Sequence, residues 1–218
     1  CEGRSKGYAS RFDGVLGSNA NQEDVFSQFR ELVESSAAGY NACILAYGQT
    51  GSGKSWSMLG SQQDVGIVAR ATQALFDALR AEESSSECTY QVNCSYLEIY
   101  GARLSDLKTG EDSLKIRESK KQVRKTAARE VYVSGLSSFR CASSQVVISL
   151  VARGNRHRAT RSTRANDTSS RSHAVLQLVV ESRKKQQSIG GENSDDENTT
   201  TREGAAASAL VCRSKLFL

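Results

Sequence analysis

The amino-acid sequence predicts an α/β sandwich around a central sheet. Strand-like and helix-like segments alternate along its 218 residues, the pattern of helices laid against a sheet. A glycine-rich loop stands between a short apolar run and a helical one. Apolar residues make up 38% and charged residues 24% of the chain, the balance of a soluble chain with a packed core.

The elements follow in chain order. Residues 21–38 carry Val25, Phe26, Phe29, Leu32 and Val33 at helical spacing, with Asn21 as N-cap and Gly39 as stop. Residues 41–47 read as a short buried strand that feeds the glycine-rich loop. A short helix is predicted from Gly53 and carries Lys54, Ser55, Trp56 and Met58. A longer helix is predicted over 64–81, with Ile67, Val68, Ala71, Leu75, Phe76 and Leu79 on one side. Residues 88–100 alternate as a strand, and Tyr90, Val92, Cys94, Tyr96 and Glu98 share a face. Shorter strands are predicted at 114–119 and 131–133, with a basic loop at 120–125 between them. A helix over 144–154 and a strand over 173–180 complete the reading. Residues 183–208 are dominated by small and polar side chains, so they are expected to form a disordered insertion. Residues 215–218 read as the opening of a further strand.

Composition excludes several classes. No run of ~18 apolar residues exists, so no membrane-spanning helix is expected. The six cysteines form no C-x-x-C pair and there are two histidines, which argues against a zinc site. Cys43 and Cys94 fall in apolar runs, where a reduced cysteine acts as a small hydrophobe. A reducing compartment, cytosol or nucleus, is expected. Between Lys115 and Arg171 there are 14 Lys or Arg against the acids Glu118, Glu130 and Asp167. That asymmetry fits a polyanionic partner, and it equally fits a solvated basic surface.

The motif that carries chemistry is Gly48, Gln49, Thr50, Gly51, Ser52, Gly53, Lys54 and Ser55, which satisfies G-x-x-x-x-G-K-[ST]. Glycines let successive backbone N–H groups turn toward phosphate oxygens. The helix that follows adds its positive end. Lys54 supplies a compact charge for the β- and γ-phosphates, and Ser55 a hydroxyl for Mg²⁺. A nucleoside triphosphate with Mg²⁺ is the expected ligand. A second unusual stretch is Asn166, Asp167, Thr168, Ser169, Ser170, Arg171, Ser172 and His173. Clustered hydroxyls beside an arginine suit γ-phosphate sensing. Taken alone, the stretch reads equally as a polar serine turn.

Together these runs resemble the kinesin family. Residues 46–55 resemble its phosphate loop, and Asn166-x-x-Ser169-Ser170-Arg171-Ser172-His173 is similar to its switch I. Phe12-Asp13-Gly14-Val15-Leu16-Gly17 and Asn21-Gln22-Glu23-Asp24-Val25-Phe26 resemble the entry region of such a motor. Ser95-Tyr96-Leu97-Glu98-Ile99-Tyr100 resembles its long central strand, and Asn155, Arg156 and Thr163 fit the approach to switch I. The resemblance implies a P-loop NTPase three-layer sandwich with a central mixed sheet, truncated, and a microtubule motor that hydrolyses ATP with Mg²⁺. Lys54, Asn166, Ser169, Ser170 and Arg171 would be catalytic, and Ser55 and Ser170 would contact Mg²⁺. Lys120, Lys121, Arg124, Lys125 and Arg129 would touch the acidic tubulin surface.

The sequence also departs from the family. It stops before the switch II run that would pair with Arg171, and it lacks the Arg-x-Arg-Pro strand. The chain alone is therefore expected to bind nucleotide without turning it over at a motor-like rate. The alternative is a non-motor module that binds microtubules or nucleotide without cycling. A nucleic-acid-dependent ATPase is disfavoured by the Ser-Ser-Arg-Ser-His run, so no nucleic-acid partner is expected. Ser55 keeps the hydroxyl of the commoner Thr, and Trp56 is expected to pack beneath the loop. The expected location is cytoplasmic, on microtubules. The oligomeric state is left open, with a dimer one option for the full-length protein.

Overall fold

The structure, a computed structural model, describes residues 9–122, 129–162, 172–185 and 210–218. The first helical segment is divided. α1 (Gln22–Ser27) and α2 (Arg30–Ala37) meet at Gln28 and Phe29. There the amides bond three residues back, Gln28 to Val25 and Phe29 to Phe26, which tightens the turn and redirects the axis. Phe26 and Val33 both reach the core as a result. Asn21 caps α1 in a capping box with Asp24, as expected of an Asn at that position.

β1 (Ala42–Cys43) is shorter than predicted. Ala42 and Ile44 are buried, while Cys43, Leu45 and Tyr47 are exposed, Tyr47 by 96%. The expectation of a buried strand is thus half met. β1 pairs with β8 alone among the described residues. α3 (Lys54–Leu59) follows the loop. Residues 61–66 then close on themselves: Ser61 donates to the Asp64 carbonyl at 2.9 Å and Gly66 to Leu59 at 3.0 Å. A Cβ at Gly60 would strike the Asp64 carbonyl, and Gly60 has φ +70°, so glycine is required there. This closure starts α4 (Ile67–Ser85) three residues later than its periodicity suggests. Lys185 caps the far end of α4, donating to the carbonyls of Glu83 at 2.9 Å and Ser86 at 3.1 Å, where a cation suits the helix dipole.

The central sheet has the order β1-β8-β7-β2-β3, with β6 also paired to β2. β2 (Cys88–Tyr100), β3 (Arg103–Asp106), β6 (Phe139–Cys141), β7 (Ser172–Lys184) and β8 (Leu210–Phe217) run antiparallel to their neighbours, and β1 runs parallel to β8. The sheet is therefore mixed. β4 (Lys115–Gln122) and β5 (Arg129–Ser134) form a separate hairpin sheet. β7 extends through Arg183 and Lys184, the first residues of the predicted insertion; residues 186–209 lie outside the described ones.

The large core lies on one face of the sheet. Val92, Cys94 and Tyr96 of β2, Leu176 and Leu178 of β7 and Leu216 of β8 meet Phe26, Val33, Leu75, Leu79, Val147 and Val151 from the helices. The last two belong to α5 (Ser144–Ser162), which runs eight residues past its predicted end. The opposite face carries a smaller cluster of Leu97, Leu104 and Leu114. Cys94 is buried as expected, whereas Cys43 is exposed. No helix among the described residues is long and apolar enough to cross a membrane.

Candidate functional site

The glycine-rich loop emerges from β1 and turns into α3. Gly51 and Gly53 have φ of +83° and +89°, left-handed values that favour glycine. A Cβ at either would meet no atom within 4 Å, so backbone conformation rather than crowding selects the residue. Ser52 donates its amide to the Gln49 carbonyl at 3.2 Å. The Lys54 ammonium folds back into the loop and donates to the carbonyls of Gly48 at 2.7 Å and Gln49 at 2.6 Å. It stands where a compact cation can meet an anion held by the loop.

A cavity of about 280 Å³ adjoins this loop, near the lower end for small-ligand sites. Lys54 and Ser55 line it from the loop side, and Ser172 and His173 from the start of β7. The two segments singled out from the sequence thus share one cavity at their described ends. Asn166, Ser169, Ser170 and Arg171, with Thr163, lie outside the described residues. Trp56 does not pack beneath the loop: it is 55% exposed. Its place on the outer side of a six-residue helix turns it to solvent, while its carbonyl accepts from the Gln22 side-chain amide at 2.7 Å.

Tyr96, Arg158 and Ser172 also line the cavity, and Arg158 is a residue that no sequence motif marks. Glu98 is 4% exposed, and its Oε1 accepts from Arg158 Nε at 3.0 Å. Arg158 Nη2 also donates to the Ser172 carbonyl at 3.0 Å and hydroxyl at 2.9 Å. Tyr96 donates its hydroxyl to Asn155 Oδ1 at 2.7 Å. Burial pushes the Tyr96 hydroxyl up to about 12, although the Arg158 guanidinium acts in the opposite direction. The signal for Glu98 was present in the sequence. Alternation puts it on the core-facing side of β2 with Cys94 and Tyr96, where a charge needs a partner.

Ser55 and Ser172, both hydroxyl-bearing, line this cavity. No cluster of three or more acidic, Cys or His ligands exists among the described residues. A cation here would lean on a ligand's own oxygens, the way Mg²⁺ is held with phosphates. The donor set fits Mg²⁺ on that basis. Of the basic segment, the described positions fall on the hairpin and do not line this cavity. Lys120 and Lys121 fall on β4 and Arg129 on β5; Arg124 and Lys125 lie outside the described residues.

Comparison with known proteins gives a consistent result. The family model described as the kinesin motor domain matches residues 2–203. Kinesin-like protein KIF13A of Mus musculus is 42% identical over 74% of this chain and 9% of its own length. KIN-8B of Arabidopsis thaliana is 35% identical over 84% of this chain and 22% of its own. KIF19 of Homo sapiens is 38% identical over 83% of this chain and 17% of its own. The chain thus spans less than a quarter of the length of these curated relatives. A solved structure of a fast kinesin superposes with a TM-score of 0.75 at 28% identity, covering 94% of this chain and 51% of that one.

Proposed function

The chain belongs to the kinesin motor-domain family, and on that premise we propose that it holds ATP with Mg²⁺ in the cavity beside Gly48–Ser55. For the whole protein we propose that the bound ATP is hydrolysed to drive movement along microtubules. The observation that carries the reading is the shared cavity: Lys54, Ser55, Ser172 and His173 all line it. In this reading Lys54 exchanges the Gly48 and Gln49 carbonyls for β- and γ-phosphate oxygens. The amides of residues 48–55 would bind the phosphate chain, and the Ser55 hydroxyl would hold Mg²⁺, which would supply neutralisation of the phosphate charge. Ser170 would join Ser55 in holding the metal, and Asn166, Ser169 and Arg171 would arrange the γ-phosphate side.

The hairpin is the proposed microtubule-facing part. Ile116, Val131 and Tyr132 are exposed on it, and Lys120, Lys121 and Arg129 belong to its strands; with Arg124 and Lys125, which lie outside the described residues, these are the proposed basic contacts. Its attraction to an acidic surface would fall steeply with salt.

Trp56, the single tryptophan, provides the test. Titration of the chain with ATP and Mg²⁺ should change its fluorescence saturably, and chelation of Mg²⁺ should weaken the response. Equilibrium dialysis of labelled ATP gives the same constant without relying on Trp56. If dialysis finds no retained ATP with Mg²⁺ present, the proposal is wrong.

A further inference from the structure

A carboxylate buried in a sheet needs a cation, and the choice of cation decides what else is held. Glu98 lies in register with Ala174 of β7 and is buried. Its partner Arg158 reaches it from α5 through Nε at 3.0 Å. The same planar group presents Nη2 to β7, bonding both the carbonyl and the hydroxyl of Ser172 at 3.0 and 2.9 Å. One guanidinium therefore joins α5, β2 and β7. A lysine, with a single nitrogen, lacks the rigid fork that serves both sides at once.

The position of that junction matters. The β2–β7 ladder ends at Tyr100↔Ser172, and strand ends open most easily. Ser172, His173 and Arg158 itself line the cavity that contains Lys54 and Ser55. Arg158 also springs from a fixed base. One turn earlier, Tyr96 donates to Asn155 at 2.7 Å, and at the adjacent position His157 Nδ1 lies 2.9 Å from the Leu107 carbonyl.

We infer that Arg158 is a positioning residue for nucleotide binding: anchored by Glu98, it fixes the Ser172–His173 end of β7 against the phosphate-loop cavity. The ligand in this inference rests on the nucleotide reading above; the fixing of β7 does not.

The test uses the whole chain and three variants: Arg158→Lys, Glu98→Gln, and the double variant Arg158→Met with Glu98→Leu. The double variant leaves neither charge buried alone, so it should fold and melt cooperatively. Amide hydrogen exchange at residues 173–176 is measured without nucleotide, and ATP affinity with Mg²⁺ by dialysis. In the double variant, exchange at 173–176 should rise at least about fivefold, while residues 178–182 at the ladder's middle keep their protection. ATP affinity should fall about tenfold, the scale of losing hydrogen bonds to a charged group. Arg158→Lys should recover part of both, and Glu98→Gln, which keeps an acceptor, most of both. Normal exchange and normal affinity in the double variant would reduce the pair to a structural role and overturn the inference. Wild-type chain that retains no ATP would sink the nucleotide reading instead, and the exchange result would still decide whether Arg158 fixes β7.

Discussion

The two walls of the cavity are built by opposite means. The phosphate loop is nearly all backbone: residues 49–53 are exposed, and the Lys54 ammonium bonds carbonyls of its own loop. The wall made by β2, α5 and β7 is part of the core. Tyr96, Glu98 and Ser172 are each buried and each tied to a neighbouring element. The difference separates two tasks. The loop can rearrange around an anion at little cost to the fold, whereas the opposite wall cannot shift without disturbing packing.

Stability measurements test that contrast. The largest effect is expected from Glu98→Ala, which leaves the Arg158 guanidinium without its anion. It should cost about 3–5 kcal/mol in urea unfolding, and a loss under ~1 kcal/mol would mean the wall is not part of the core.

Next comes Asp106, fully buried at the end of β3. Its carboxylate accepts from the backbone amides of Lys108 at 2.8 Å, Thr109 at 3.2 Å and Ser137 at 2.8 Å. Burial alone would raise its pKa, but the hydrogen bonds from Ser137, Lys108 and Thr109 outweigh burial and hold it below the usual carboxylate value. A depressed folded-state pKa means the contribution is whole above the unfolded value, about 3.9, and is lost as pH falls through the lower folded one. Asp106→Ala should therefore cost about 2–3 kcal/mol at neutral pH. The gap between variant and wild type should narrow as urea melts are repeated below about pH 4. A gap independent of pH would remove the carboxylate from the explanation.

Gly154→Ala should cost less, about 1–3 kcal/mol. A Cβ there would lie 2.5 Å from the Tyr96 ring and 3.3 Å from Leu107, and thermal melts read the loss directly. The smallest change should come from the loop. Lys54→Ala should alter stability by no more than about 0.5 kcal/mol while ATP retention in dialysis falls to background. A strongly destabilised Lys54→Ala would put the loop and the wall in one class.

Much of this arrangement was legible in the sequence, and the reasons are local. The strand Cys88–Tyr100 was read to the residue because its alternation is long and its ends are marked by turns. The loop and α3 were legible because glycine, lysine and serine stand at fixed offsets. β3 and β6, of four and three residues, are too short for periodicity to register. The end of α5 was missed because residues 155–162 have no apolar stripe. Hydrogen bonds that Asn155 accepts and that His157 and Arg158 make with other elements hold them helical instead. The break between α1 and α2 has no sequence marker, since Gln28 and Phe29 are ordinary helix residues. The Arg158–Glu98–Ser172 junction needed the tertiary structure, because it joins positions 60 and 14 residues apart.

The ladder between β2 and β7 pairs thirteen residues without a slip, from Cys88↔Lys184 to Tyr100↔Ser172. At ~3.4 Å per step its two ends stand about 40 Å apart. It therefore acts as a spacer bar. The chain is described as far as Lys185 and again from Leu210, which pairs with Arg183, at the end remote from Ser172. A label or graft inserted between those attachment points would be carried on the far end of the bar, insulated from whatever occupies the cavity.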